Sequence, residues 1–397
     1  MHSTELPAGE CSIERVACFL ASQWLYLFGE EGGVVYSPEQ RRFAGLDAAG
    51  VAAFLALDAG MPFESIEAIF LRTAQNGKPA PDGVLESIRE LSRGIFPSAD
   101  GPKDWPELDS CAPADVSAVN LEIGGIPVSI HYPRGPFEKL CGDYFRGCMP
   151  STKPPRCRLS AKPAHSGWEI LVNGREFMSI AQPDELGLGL MHAARSMLYS
   201  LGSYDVAFHA AMVAEGDCGL LLCAPCGSGK STLAAYLTGM GFDLLADEPA
   251  LLQLDSCLVQ SMPQPISLKE GSWSCLWSEW PQLGDAPVHM RFDGVRTRLL
   301  HVPERRISPR PRRITHFVFP QYSPSATTLP ERLTPLSALC LLNRGGLMFA
   351  RDSTEEQFEM FLHLLCRTPS FKLPYSSLSD AGAALRAISQ REEVQTH

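Results

Sequence analysis

The sequence GLLLCAPCGSGKSTLAAYLTGMGFDLLADE, at residues 219–248, decides the fold of this chain. Two apolar runs flank a glycine-rich turn and a segment of good helix formers, so the pattern predicts strand, turn, helix and strand. The predicted bounds are Leu220–Cys223, Gly227–Thr232, Thr232–Met240 and Phe242–Ala246. The second strand runs directly into Asp247 and Glu248, which places two carboxylates at its end.

The glycine-rich turn predicts a nucleotide-phosphate site. Glycines let backbone amides approach phosphate oxygens, Lys230 supplies positive charge, and the Ser231 hydroxyl can hold Mg²⁺. Ala224 stands where the usual loop pattern has its first glycine, and alanine costs backbone freedom wherever φ is positive. The predicted nucleotide-binding residues are Cys226, Gly227, Ser228, Gly229, Lys230, Ser231 and Thr232.

The short distance between loop and carboxylates excludes a transporter-type ATPase. In those proteins a helical domain and a Leu-Ser-Gly-Gly-Gln signature separate the two motifs, and this chain has no such signature. Here one helix and one strand fill the gap, so the carboxylates are expected beside the loop at the carboxyl edge of the sheet. Neighbouring residues of a strand face opposite sides, so Asp247 and Glu248 can both face the loop only if the strand ends between them.

Segments on both sides of the loop extend this pattern into a resemblance to HPr kinase-like proteins. A strand that begins near His209 precedes the loop, and further strands and a C-terminal helix follow it, at 208–213, 263–269, 295–298, 315–320 and 375–385. The resemblance covers about 186–388, and the close Asp-Glu pair is its most specific part. It implies an α/β P-loop kinase domain of the HPr kinase and PEP carboxykinase-like type.

The resemblance also implies roles for the loop and its neighbours. Lys230 and the loop amides would hold the phosphates of ATP, because phosphoryl transfer depends on positioning and charge neutralisation. Asp247 would act as general base, and Glu248 would hold Mg²⁺ together with Ser231, with Asp247 also a candidate metal ligand. His209 is a candidate catalytic residue, although a lone histidine is more often structural.

Three further basic residues are candidates for contacts with substrate. Lys269 follows a predicted strand, where it is either a surface lysine or a phosphate contact. Arg296 and Arg298 alternate along a predicted strand and therefore share a face. A separate arginine cluster is either a solvated loop or a docking surface for an acidic substrate, and consists of Arg305, Arg306, Arg310, Arg312 and Arg313.

Cys223 and Cys226 form a C-x-x-C pattern that resembles a thioredoxin motif. The same residues belong to the predicted phosphate loop, which disfavours redox catalysis. A disulfide there would distort the loop, so inhibition by oxidation is an open alternative. The other cysteines have no metal-ligand spacing.

Two regions precede the kinase-like domain, which is predicted at 186–390. Residues 14–95 combine a predicted strand at 24–28, a hairpin at 34–46 and short helices, and resemble PqqD-like winged-helix modules that recognise leader peptides of ribosomally made peptides. Residues 96–113 are rich in Pro, Asp, Ser and Gly and predict a linker. Residues 115–185 predict a β-rich lead-in with strands at 119–123, 126–131, 168–172 and 177–180, and with 148–164 as a basic connection.

Composition narrows the classes of protein that this chain can be. With 397 residues, of which 45% are hydrophobic and 20% charged, it has material for two or three globular domains. A net charge of −11 argues against a nucleic-acid or membrane-surface partner. Thirteen cysteines without framework spacing, no signal peptide and no long apolar run predict a cytoplasmic protein.

The sequence therefore predicts an ATP- and Mg²⁺-dependent kinase for a Ser or Thr hydroxyl of a peptide or protein. If the N-terminal module binds a leader peptide, the substrate would be a peptide precursor. A small-molecule hydroxyl kinase and a nucleotide-sensing protein without catalysis remain as alternatives. Oligomerisation is left open.

Overall fold

The computed structural model describes residues 116–393 apart from positions 226, 263, 309, 351 and 352. In the N-terminal part it describes positions 25–29, 32–37, 42–46, 51, 52, 56, 61, 65 and 68. The protein is a mixed α/β structure with several sheets. None of the helices in the described residues is long and apolar enough to cross a membrane.

The N-terminal residues form a small antiparallel sheet in the order β1-β2-β3. This confirms the predicted strand and hairpin. The described helical positions, 51, 52, 56, 65 and 68, follow this sheet in the chain, where the sequence predicts short helices. The remainder of the 14–95 module and the 96–113 linker lie outside the described residues, so the winged-helix assignment stays a prediction. The strands are β1 Leu25–Gly29, β2 Gly32–Ser37 and β3 Arg42–Leu46.

The β-rich segment forms a six-stranded sheet in the order β6-β4-β5-β7-β8-β9. All four predicted strands of this segment are confirmed, with longer bounds. A helix that the sequence reading missed, α1, follows the second strand. The elements are β4 Val116–Ile123, β5 Ile126–Pro133, α1 Pro136–Phe145, β6 Met149–Pro150, β7 Cys157–Ala164, β8 Gly167–Val172 and β9 Arg175–Ile180.

The prediction that 148–164 is only a connection was wrong, because its second half is β7, an inner strand of this sheet. Cys157, Leu159 and Ala161 alternate along β7, and all three are buried. β7 pairs parallel with β5 and antiparallel with β8. Small and polar residues between these three positions, together with Pro163, hide the period-two pattern in the sequence.

The rest of the chain supplies five α-helices and fourteen strands among the residues that the structure describes. The helices are α2 Leu186–Leu201, α3 Lys230–Met240, α4 Pro335–Arg344, α5 Glu355–Arg367 and α6 Leu378–Glu393. The strands are β10 Val206–Phe208, β11 Ala210–Glu215, β12 Cys218–Cys223, β13 Asp243–Asp247, β14 Ala250–Gln253, β15 Leu258–Val259, β16 Ile266–Lys269, β17 Val288–Met290, β18 Arg296–Leu300, β19 Arg312–Arg313, β20 His316–Tyr322, β21 Glu331–Arg332, β22 Leu347–Phe349 and β23 Ser370–Tyr375.

A mixed sheet in the order β13-β11-β12-β20-β23-β21 forms the centre of this part. Its inner strands are apolar throughout because both faces are covered. Leu220 and Leu222 pack into one core with α3 and α6, whereas Leu221 and Cys223 pack into a second core on the other face. The predicted strand, loop, helix and strand of residues 219–248 are thus confirmed.

Two smaller sheets flank the central one. One has the order β19-β15-β14-β10-β22, and the other has the order β16-β18-β17. α4 contacts β2 and β3 of the N-terminal sheet. The core on the α2 side also includes residues of β4, β5, β7 and β8, so it is continuous across the predicted boundary at 185 and 186.

Truncation of the missed strand β7 should destabilise the protein. Leu159→Ala removes a fully buried side chain and should lower the free energy of unfolding by about 2–5 kcal/mol. Denaturant unfolding measures the change. Arg156→Ala, at an exposed position just before β7, should cost less than about 0.5 kcal/mol. Equal effects of the two substitutions would contradict the placement of β7 in the core.

Candidate functional site

Three chain passages meet at one edge of the central sheet. β12 ends at Cys223, β13 ends at Asp247, and β11 begins at Ala210 between them. The register places Ala210 opposite Cys223 and Ala211 opposite Asp247. The residues just beyond these strand ends therefore lie side by side. β11 intervenes between the loop strand and the carboxylate strand, which are neighbours in sequence but not in the sheet.

The predicted single strand at 208–213 is interrupted at His209. β10 pairs with β14 and β22 in one sheet, and β11 pairs with β12 and β13 in another. β13 and β14 change sheet in the same way, at Glu248. The prediction of one continuous strand at 208–213 was wrong. The chain bends at His209 and passes from one sheet to another, beside the similar bend at Glu248.

The strand ends between Asp247 and Glu248. This is the condition under which both carboxylates can face the loop. Glu248 has φ 58°, a left-handed conformation that is uncommon outside glycine. Both carboxylates line the same cavity. Glu248 Oε1 accepts a hydrogen bond from His209 Nε2 at 2.5 Å, and Arg195 Nη1 lies 3.3 Å from Oε2.

The glycine-rich loop connects β12 to the first turn of α3. Gly229 is the residue before the helix, with φ 93°, and no side chain caps the helix amides. Such a helix start binds anions well because its first amides point outward with positive partial charge. Ala224 is not among the described residues with positive φ, so alanine fits its position without backbone strain.

Lys230 lies buried at the base of the loop, with only 5% of the residue exposed. Its Nζ donates to the carbonyl oxygen of Ala224 at 2.5 Å. This hydrogen bond joins the two ends of the loop. Ser231, with its own hydroxyl, follows Lys230 and also lines the cavity. An ammonium group, a hydroxyl and helix amides together fit a phosphate group.

The loop serine contacts the first carboxylate. Ser231 Oγ donates to Asp247 Oδ1 at 3.1 Å. A hydroxyl beside a carboxylate at the end of a phosphate loop is the oxygen set that holds Mg²⁺ in many nucleotide-binding proteins. The described residues contain no group of three or more His, Cys, Asp or Glu that could hold a metal. A cation here would therefore need phosphate oxygens or water as further ligands.

The two carboxylates differ in acidity. Burial, reinforced by the charge of Glu248, raises the pKa of Asp247 to about 6. Burial opposes ionisation of Glu248 as well, but the hydrogen bond from His209 and the charge of Arg195 outweigh it and lower the pKa of Glu248 to about 2. Glu248 therefore carries a negative charge at neutral pH. The pKa of Asp247 lies closer to neutral pH, so Asp247 is the carboxylate better able to accept and release a proton.

Two site residues on α2 were missed by the sequence reading. Arg195 and His192 line the cavity and face it from one side of the helix. Burial, together with the charges of Arg195 and Arg291, lowers the pKa of His192 to about 4, which keeps the imidazole neutral. An arginine and a histidine three positions apart in an otherwise apolar helix are the signal that would have identified them.

The cavity has a volume of about 1140 Å³ and is lined by the loop and both carboxylates. Pockets for single small ligands span about 300–1,000 Å³, so this space accommodates more than one small group. One wall comes from α1, α2 and the β17–β18 turn, and includes Tyr144 and Arg291. Three tyrosines also line the cavity, Tyr236, Tyr322 and Tyr375.

The predicted substrate residues divide into two groups. Lys269 lines the cavity. Arg296 and Arg298 share a face of β18, as predicted, but neither belongs to the described cavity lining. Arg298 stacks on Trp273 at 4.3 Å from the ring centre, and Arg296 lies 2.5 Å from Glu270. Their role toward substrate stays a prediction.

The arginine cluster has structural contacts at two of its members. Arg306 donates to the carbonyl oxygen of Gly241 at 2.7 Å, and Arg312 lies 3.7 Å from Asp217. Neither lines the cavity.

Cys223 is buried inside the sheet, and burial raises the pKa of its thiol to about 12. A thiol that stays protonated is a poor nucleophile, which agrees with a structural role for Cys223. Cys226 lies outside the described residues, so the oxidation hypothesis stays untested.

Comparison with known proteins adds little to this geometry. No family model matches the chain, and no curated protein matches it. Among solved structures, the Hpr(Ser) kinase/phosphatase from Coxiella burnetii matches with 9% identity and a TM-score of 0.24, over 48% of this chain and 97% of that chain. The likeness is too weak to assign an activity.

A side chain at Gly229 should disturb the loop. Gly229→Ala forces a residue with a Cβ into φ 93°, and that Cβ would collide with the Tyr375 hydroxyl. We expect a loss of about 1–3 kcal/mol in the free energy of unfolding, measured with denaturant. Gly271→Ala is the matched control on the same cavity, because its Cβ meets no atom within 4 Å. If Gly229→Ala left the free energy of unfolding unchanged, that result would contradict this loop geometry.

Proposed function

We propose that this protein is an ATP-dependent kinase that transfers phosphate to a hydroxyl group, most specifically a Ser or Thr of a peptide or protein. One observation supports it above all: the loop lysine, the loop serine and two acidic residues line one cavity, with Ser231 Oγ 3.1 Å from Asp247. Phosphoryl transfer requires charge neutralisation and a proton acceptor at one place.

The nucleotide would bind with its phosphates on the loop. The amides of Gly227–Thr232 and the ammonium of Lys230 would contact the β- and γ-phosphates. The proposal includes Cys226 in this loop, as the sequence reading does.

Ser231 and Glu248 are the residues that would hold Mg²⁺, and Asp247 is a second candidate. The Ser231 hydroxyl lies beside Asp247, and Glu248 follows Asp247 on the same cavity. When bound, Mg²⁺ would neutralise charge on the phosphate oxygens.

Asp247 would take the proton of the attacking hydroxyl. Its raised pKa suits a general base better than the lowered pKa of Glu248. The hydroxyl oxygen would form a bond to the γ-phosphorus while the bond to the β-phosphate oxygen breaks, with ADP as leaving group. His209 would keep Glu248 in place at the sheet edge and would act on the reaction only through it.

A peptide substrate agrees with the size of the cavity, about 1140 Å³. In this proposal the N-terminal module, predicted at 14–95, binds the leader of a peptide precursor and brings its hydroxyl residue to the site. The proposal includes the cytoplasmic location that the cysteine pattern predicts.

Removal of the loop charge should weaken nucleotide binding. Lys230→Met keeps the length of the side chain but removes its ammonium, so ATP affinity should fall at least tenfold, because hydrogen bonds to charged groups contribute about 1.5–3 kcal/mol. Calorimetric titration with ATP and Mg²⁺ measures the affinity. Lys139→Met, at an exposed lysine away from the cavity, should bind ATP as the wild type does. Equal affinity of all three proteins would overturn the proposed nucleotide site.

Replacement of the proposed base should separate binding from transfer. Asp247→Asn should retain ATP binding and reduce transfer by about 10²–10⁴, the usual contribution of a general base. Transfer of ³²P from γ-labelled ATP to candidate peptides and to small hydroxyl compounds provides the measurement. Loss of ATP–Mg²⁺ binding in the same variant would instead make Asp247 chiefly a metal ligand. Binding without transfer to any acceptor in the wild type would favour a nucleotide sensor.

A further inference from the structure

An exposed tyrosine lines the cavity beside the phosphate loop. Tyr322 is the last residue of β20 and is 53% exposed, whereas Tyr375, which pairs with it across the sheet, is buried. A tyrosine ring has a flat apolar body that binds other rings through stacking or edge contacts. The exposure of Tyr322 leaves this body accessible to a molecule bound in the cavity.

Backbone hydrogen bonds and a ring contact fix Tyr322 against the loop. Its amide donates to the carbonyl oxygen of Ser228 at 3.3 Å. The next amide, that of Ser323, donates to the carbonyl oxygen of Tyr375 at 2.9 Å. The rings of Tyr322 and Tyr375 lie 5.6 Å apart between their centres, and the Tyr375 hydroxyl donates to the carbonyl oxygen of Gly229 at 3.5 Å. The position of Tyr322 relative to the loop is therefore set by the protein itself.

Tyr322 lies on the side of the loop away from the carboxylates. In the central sheet, β11 and β13 lie on one side of the loop strand β12, and β20 and β23 lie on the other. β20 runs parallel to β12, so both strands end at the same edge of the sheet. β20 is three strand positions from β13, or about 14 Å at the usual spacing of neighbouring strands. A nucleotide with its phosphates on the loop and its terminal phosphate near Asp247 would therefore extend its base toward Tyr322.

We propose that Tyr322 binds the base of the nucleotide donor by stacking. Every nucleobase has a π-face, so an exposed aromatic ring contributes affinity without selecting one base. The loop holds the phosphates and the ring holds the base, and the two contributions come from separate parts of the ligand. This inference rests on the proposed kinase function and specifies how the site distinguishes a nucleotide from inorganic polyphosphate.

Tyr322→Ala tests the base subsite, because it removes the ring and keeps the backbone contact with Ser228. Affinity for ATP in the presence of Mg²⁺ should fall about 5-fold to 150-fold, the usual effect of removing one base–aromatic stack. Affinity for inorganic tripolyphosphate, which has phosphates but no base, should be unchanged. Calorimetric titration measures both affinities.

Three controls complete the test. Tyr322→Phe keeps the aromatic ring and should bind ATP as the wild type does. Trp277→Ala removes an aromatic side chain that is 52% exposed but outside the described cavity lining, and should leave both affinities unchanged. Lys230→Met should weaken the binding of tripolyphosphate as well as that of ATP, because it acts on the phosphates.

The outcomes that overturn the base subsite differ from those that overturn the kinase. Equal ATP affinity in the wild type and Tyr322→Ala would show that the ring does not contact the base. Loss of tripolyphosphate binding in Tyr322→Ala would show that Tyr322 acts on the loop instead. An ATP affinity of Tyr322→Phe as low as that of Tyr322→Ala would assign the effect to the hydroxyl and exclude stacking. A wild type that binds neither ATP nor tripolyphosphate would overturn the proposed nucleotide site, and the kinase with it.

Discussion

The contact between His209 and Glu248 is the constraint on which the rest of the site depends. His209 separates β10 from β11, and Glu248 separates β13 from β14, so both mark a change from one sheet to another. Their side chains meet at 2.5 Å where the two passages bend together. This shared bend ends β13 directly after Asp247 and turns Glu248 toward the same cavity. Without it, two successive carboxylates would face opposite sides of a strand.

Positive and negative side chains alternate around that contact on the cavity lining. Glu248 lies between His209 and Arg195, while Asp247 contacts the loop serine near the buried Lys230. Fixed dipoles and charges in such a site act more strongly than in water and need little rearrangement when a phosphate group arrives. The difference in acidity between the two carboxylates follows from their partners, since burial alone would raise the pKa of both.

Local patterns predicted the loop region well and the longer-range features poorly. The strand, loop and helix of residues 219–248 were readable because each has a strong local signal in apolar runs and glycines. β7 was missed because its buried residues are separated by small and polar ones, and burial on the inside of a sheet is not visible in composition. Arg195 and His192 were not identified as site residues, since they come from a helix whose position depends on packing. Arg296 and Arg298 were correctly placed on one face, but their stacking on Trp273 depends on the fold around them.

The sequence by itself determined that a glycine-rich turn with a lysine and a serine joins a buried strand to a helix, and that two carboxylates follow one strand later. Those features depend on neighbouring residues alone, through chain stiffness, period and turn chemistry. Only the tertiary structure decided that β11 lies between the loop and carboxylate strands, and that His209 and Arg195 contact Glu248. These relations join residues far apart in the chain, and they arise from sheet register and core packing, which no local pattern encodes.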